Sequence, residues 1–347
     1  MMKRTTFLGI ALLLSLSLVL GACTPKTEEA TPVSGEVSVD IETGEVESEE
    51  GDDVVKSEEY PTLRIAVLPI VDTLPLFLAL EEALFENYDI NVELIPVSSA
   101  PELSQMVASG QADGMVTDGL TVAFFNKEEI QMQIVRYAQK PIADTGHFFI
   151  LAAKDSGIAT VADLKGIEIG ISEGTIIEYV TDRLLEKEGF TADEIQTIAV
   201  PKIPDRMALL GSGELKAAVL PDPLASLAVS QGATVILDDT QSPEYGASVY
   251  VFSKEIIDEN TDAIRDFVEA IDVAVALLEE DPAEYRYVLA ERQLVPAPLL
   301  EGYVIPPFPS GIYSEAEWED TLAWAQAKGF LSVNIPYEDV VAGIFLP

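Results

Sequence analysis

One cysteine and one histidine stand in 347 residues. A disulfide, a Cys-rich zinc site and a Cys–His nucleophile pair each need more of these residues than the chain holds, so a cofactor-free, metal-free chain is expected. Bases are scarce as well: 20 Lys and Arg face 60 Asp and Glu, a formal charge of −40. Recognition of a phosphate backbone needs clustered bases, and a polyanion would be repelled at long range, so no nucleic-acid partner is expected. Long apolar runs are few. The most apolar stretch, Phe7 to Leu20, has 14 residues and is short of the ~20 that span a bilayer as a helix. The chain is nonetheless 48% hydrophobic, enough to bury a sizeable core, and its length allows about two domains.

The short apolar run follows Met1-Met2-Lys3-Arg4 and ends Leu20-Gly21-Ala22-Cys23. A basic start, an apolar middle and small residues at the end read as an export signal over 1–22. The last four residues resemble a bacterial lipobox, in which the signal is cut before the cysteine and that cysteine is acylated; the plainer account of Cys23 is a thiol beside an ordinary cleavage site. Lipidation would make Cys23 an anchor on the extracytoplasmic face of the cell membrane, since each buried CH₂ adds ~0.8 kcal/mol. Residues 24–60 carry 13 acids against Lys26 and Lys56 and no aromatic before Tyr60. Together with Cys23 they read as a disordered acidic tether with a mean reach of roughly 35 Å.

From Leu63 onward, β-rich runs alternate with helical ones, which predicts βαβ units. Strand 63–68, helix 75–86, strand 91–97, a helix opened by Ser99 and closed at Ser109-Gly110, and strand 113–117 lead to Thr117-Asp118. The order then returns: strand 167–171, helix 175–188, strand 195–200, helix 204–211 and strand 216–220 lead to Pro221-Asp222-Pro223. The offsets agree, since Ile65 to Ile169 is 104 positions and Asp118 to Asp222 is also 104. The expected fold class is α/β, with two similar lobes of mixed, mostly parallel sheets. Strands at 146–152 and 247–252 are expected to cross between lobes, making lobe 1 of 61–152 plus 247–347 and lobe 2 of 153–246. Helices 261–279, 282–292 and 314–328 complete the first lobe, and two crossings permit hinge motion.

Several stretches resemble one family. They are Leu63-Arg64-Ile65-Ala66-Val67-Leu68-Pro69, Ser109-Gly110-Gln111-Ala112-Asp113-Gly114, Val161-Ala162-Asp163-Leu164-Lys165-Gly166, and Ala325-Gln326-Ala327-Lys328-Gly329-Phe330 with Tyr337-Glu338-Asp339-Val340-Val341. The chain is similar here to the bacterial solute-binding lipoproteins of the nitrate, sulfonate and taurine class of ABC importers, which also holds binders of thiamine pyrimidine precursors. The resemblance implies a type II periplasmic binding protein fold, a small-molecule ligand, and an ABC permease with its ATPase as partners. A monomer is expected. The motifs specify the family and leave the ligand open.

In open α/β sheets, ligands bind beyond the carboxyl ends of the strands, near helix N-termini. The candidate ligand residues there are Asp72, Thr73, Ser98, Ser99, Thr117, Asp118, Ser172, Gly174, Thr175 and Asp222, with Tyr245 and Tyr250 as rings to stack a flat ligand. Each hydroxyl or carboxylate at such a turn has a plain alternative as a helix cap. These loops carry carboxylates and no arginine, with Lys202 and Arg206 the nearest bases, which favours a neutral or amine-bearing heterocycle over an oxyanion. His147 has no nucleophile partner legible in the sequence, so a binding protein is expected rather than an enzyme. Alternatives left open are an oxyanion binder for nitrate, sulfonate or taurine, a ligand-sensing lipoprotein without transport, and an enzyme on the same fold.

Overall fold

The computed structural model describes residues 60–345; the export signal, Cys23 and nearly all of the tether lie outside them. The first half of the alternation runs β1 (Thr62–Val67), α1 (Leu74–Glu81), α2 (Leu84–Asn87), β2 (Asn91–Pro96), α3 (Ala100–Ala108), β3 (Gly114–Asp118), α4 (Gly119–Phe125) and β4 (Met132–Gln139). After a crossing over 140–147 come β5 (Phe148–Ala152), β6 (Glu168–Ile171), α5 (Ile176–Lys187), β7 (Gln196–Ala199), α6 (Ile203–Ser212), β8 (Ala217–Pro221), α7 (Leu224–Ser230) and β9 (Thr234–Asp238). The chain returns over 239–247 into β10 (Ser248–Ser253) and ends in α8 (Lys254–Glu259), α9 (Thr261–Glu280), α10 (Arg286–Glu291), α11 (Glu315–Ala327) and α12 (Tyr337–Val340).

The two sheets have one topology. Their orders are β2-β1-β3-β10-β4 and β7-β6-β8-β5-β9. In each, four strands run parallel and one antiparallel strand lies between the last two. The sequence echo extends to register: Ile65 pairs with Gly114 in the first sheet, and Ile169 with Ala217 in the second. The strands expected to cross between lobes prove to be these antiparallel members. β5 belongs to the second sheet and β10 to the first, while the crossings themselves are the irregular stretches before them. The sheet boundary on the first passage therefore falls before Phe148 rather than at residue 152.

Local chemistry explains most element ends. Thr175 caps α5, accepting from the Ile177 amide at 3.2 Å, and Ser314 with Glu317 forms a reciprocal capping box at the start of α11. The helix expected over 75–86 is broken because Ala83 takes a left-handed φ of 51°. That over 282–292 shortens to α10 because the turn Asp281–Glu284 uses Asp281 to cap its own amides. α9 buries Ile264, Phe267, Ile271 and Val275 at helical spacing, with Phe267 stacked on Phe85 at 5.5 Å. Among the described residues, no helix is long and apolar enough to cross a membrane.

Candidate ligand cleft

The carboxyl ends of the parallel strands carry the candidate residues, and the structure divides them sharply by what their polar atoms already do. In the turn after β1, Thr73 is fully buried and donates its hydroxyl to the Ile70 carbonyl at 2.6 Å. Asp72 is buried with its carboxylate 3.3 Å from His147 Nε2. Burial pushes the Asp72 carboxyl up, but the His147 charge and hydrogen bonds from His147 and Ser248 outweigh this and hold it below the usual carboxylate range. After β2, Ser98 donates both its amide and its hydroxyl to Glu102, at 2.9 and 2.8 Å, and Ser99 caps α3.

Asp118 caps α4, accepting from the Thr121 amide at 2.9 Å and the Thr121 hydroxyl at 3.3 Å. Burial pushes its carboxyl above the usual range. Thr117 beside it is half-buried. Its hydroxyl has no hydrogen-bond partner among the described residues. In the second sheet, Ser172 donates to the Pro201 carbonyl at 3.0 Å, and Thr175 to the Ser172 carbonyl at 2.7 Å. The Gly174 amide donates to Glu178 at 2.7 Å, and Glu178 is paired in turn with Lys328, just past α11, at 2.6 Å. Gly174 holds φ at +68°, a conformation that suits glycine.

Asp222 after β8 accepts from the Ser226 hydroxyl, from the Ser226 amide at 3.3 Å and from the Tyr303 hydroxyl at 2.5 Å. Tyr245 is half-buried with its ring edge-on to Tyr179 at 5.8 Å. Tyr250 points into the core, 1% exposed and edge-on to Phe267, with its hydroxyl unpartnered. That ring is unavailable to stack a ligand in this arrangement.

Two cavities lie along these edges. One, of about 480 Å³, is walled by Pro101 and Ser104 of α3, Thr121 and Phe124 of α4, and Gly174 and Thr175 from the second sheet's edge. The other, of about 540 Å³, is walled by Asp222, Asp144, Asp238, Gly146, Phe149 and Tyr303. Neither is lined by both Asp118 and Asp222, so the structure does not bring that echoed pair into one cavity. No group of three or more His, Cys, Asp or Glu that could hold a metal ion occurs among the described residues.

Sequence reasoning left out Tyr303, Asp239 and the role of Arg206. The Arg206 side chain is fully buried, donating from Nε to the Val219 carbonyl at 2.7 Å and from one terminal nitrogen to Ser172 Oγ at 2.8 Å and the Val200 carbonyl at 2.7 Å. The other terminal nitrogen has no partner, no carboxylate pairs with the group among the described residues, and burial alone lowers its pKa to about 10. A signal existed: Gly170 interrupts strand β6, and the Arg206 stem passes 3.4 Å from where its Cβ would sit.

The NMT1/THI5-like family profile matches residues 71–285, and the chain belongs to that family. Among curated proteins it is 29% identical over 156 residues to the "Putative aliphatic sulfonates-binding protein" of Escherichia coli K12, covering 45% of this chain and 48% of that one. The match thus spans about half of that relative's length. It is 25% identical over 185 residues to the arginine-binding extracellular protein ArtP of Bacillus subtilis 168, covering 52% and 66%. Among solved structures, the alkanesulfonate-binding protein SsuA of Xanthomonas axonopodis pv. citri bound to MOPS superposes with TM-score 0.67 at 20% identity, covering 81% of this chain and 97% of that one. The desulfurization enzyme DSZB shares the fold too, with TM-score 0.61 at 14% identity over 82% and 97%. These likenesses establish the periplasmic binding protein fold.

Proposed function

We propose that this chain is an extracytoplasmic solute-binding lipoprotein that captures a small molecule between two lobes and delivers it, as a monomer, to an ABC permease and its ATPase. The observation that carries this reading is the pair of five-stranded sheets with one topology, joined by two crossings, whose strand ends present candidate loops to shared cavities. The lobes are 61–147 plus 247–345 and 148–246, β5 going to the second with its sheet. Cys23 carries the lipid, and replacing it with Ala should release the protein from the membrane fraction.

The ligand is neutral or amine-bearing. Three aspartates and the Tyr303 hydroxyl wall the larger cavity, and charge-assisted hydrogen bonds from an amine to such carboxylates are worth ~1.5–3 kcal/mol each; a relative named for binding arginine is in keeping with this. A second reading, a sulfonate or related oxyanion, is favoured by Arg206, a buried guanidinium without an acid at the edge of the second sheet, and by relatives named for sulfonates. No catalytic residue is proposed on either reading. Calorimetry with arginine, an aminopyrimidine and an alkanesulfonate decides between them. Binding of an amine that is lost in Asp222→Asn supports the first, binding of the sulfonate alone supports the second, and binding of none of the solutes tested would count against capture of either class.

A further inference from the structure

His147 is the last residue of the first crossing, and its side chain is buried. Its ring nitrogens face acceptors on different segments: Nδ1 lies 2.8 Å from the Gly246 carbonyl in the second crossing, and Nε2 lies 3.3 Å from Asp72 beyond β1 of the first sheet. Two acceptors are both satisfied only when both nitrogens carry protons, that is by the imidazolium. The backbone of the same residue completes the knot. Its amide donates to Asp239 at 2.8 Å, where the second crossing begins, and its carbonyl accepts from the Asp222 amide at 2.9 Å, beyond β8 of the second sheet. The Phe148 amide also donates to Asp239, at 3.1 Å. Packing leaves no slack: a Cβ on Gly246 would sit 2.2 Å from an Asp239 carboxylate oxygen, and one on Gly146 would sit 2.9 Å from the Phe149 ring.

We infer that His147 is the pin of the hinge: as an imidazolium it fastens the two crossings to each other and to Asp72, so that the sheets swing about a fixed axis instead of sliding. This goes beyond ligand capture but rests on reading the two crossings as a hinge. The groups facing the ring are Asp72 from the turn after β1 and Asp239 from the second crossing, with Asp238, Tyr250 and Tyr303 bearing on those two carboxylates. Burial pulls the imidazole down, but the Asp72 charge and hydrogen bond, then Asp239 and the Gly246 carbonyl, raise it to about 9. A raised base contributes its stabilisation in full below its ordinary value near 6.5 and loses it as pH rises through about 9. Asp72 is held below its usual range and burial raises Asp239 to about 6, so the imidazolium and both carboxylates are charged together between about 6 and 9.

Paired spin labels on the full chain, at Glu129 beside the first sheet and Asp193 beside the second in a Cys23→Ser background, measure the swing directly. One narrow distance is expected at pH 7, broadening as pH passes about 9. His147→Gln, whose amide can donate from one atom only, should be broad at pH 7 and insensitive to pH. A narrow distance in His147→Gln, or the same alkaline broadening in it as in wild type, would overturn the inference. Should that variant fail to fold, Asp72→Asn keeps an acceptor but removes the charge and should move the broadening to lower pH; an unmoved midpoint overturns the inference equally. Failure of every solute in the calorimetric panel would count against the ligand reading and leave these distances unaffected.

Discussion

At the scale of single residues, a polar group already bonded within its own turn needs no ligand to explain its presence there. Asp118 accepts from Thr121 twice, and Ser98 and Ser99 are tied to Glu102. Thr117 and Tyr245 are half-buried, with hydroxyls that have no hydrogen-bond partner among the described residues. Asp118→Asn should therefore cost well under ~1 kcal/mol in thermal melting, because Asn caps about as well as Asp. Thr117→Val, which preserves shape and removes the hydroxyl, should leave melting unchanged and weaken ligand binding roughly tenfold if one neutral hydrogen bond is lost. Equal affinity in Thr117→Val, read by calorimetry, would remove that residue from the cleft. The turn residues were legible in the sequence because turns and caps demand Asp, Ser and Thr. Their partners were not, because pairing such as Asp222 with Tyr303 joins segments 81 residues apart.

At the scale of elements, alternation and caps revealed nearly every strand and helix of the two βαβ units, and the 104-residue echo revealed the duplicated topology. β5 and β10 were legible as strands but not as sheet members. A strand buried on both faces, as Ser248 to Phe252 is, reads the same whether it bridges lobes or fills a sheet. Close approach left one further trace. Gly170 lies in β6 where a side chain would meet Leu215 at 2.6 Å and the Arg206 stem at 3.4 Å. Gly170→Val should destabilise by about 1–3 kcal/mol through overpacking, and it should also drive Arg206 away from Ser172. If Arg206 matters to the ligand, the variant loses affinity at temperatures well below its melting midpoint. Calorimetry there separates the two effects, and wild-type affinity would show that only packing is disturbed.

At the scale of the whole molecule, the carboxy-terminal helices do more than cover the first sheet. Glu317 of α11 accepts from Tyr137 and Lys140 at the end of β4, at 2.5 and 2.6 Å. Asp320 and Trp324 of the same helix reach Tyr179 and Asp182 of α5, at 2.7 and 2.9 Å. One helix is thus bonded to elements of both sheets, and a swing must either carry α11 with one sheet or break these contacts. The Tyr303–Asp222 bond is a second fastening of this kind, joining the segment after α10 to the loop after β8. It is the easier one to test, because Tyr303→Phe removes a single hydroxyl, keeps the ring's packing, and leaves Asp222 its two bonds from Ser226. A hydrogen bond to a charged group is worth ~1.5–3 kcal/mol, so its loss should shift the closed-to-open ratio by roughly tenfold or more. Small-angle scattering on the full chain without ligand should show a larger radius for Tyr303→Phe than for wild type. A solute found to bind should then restore the smaller radius, since a ligand shifts the balance by its preference for the closed state. Identical radii for variant and wild type, with melting also unchanged, would mean that this bond does not hold the lobes together.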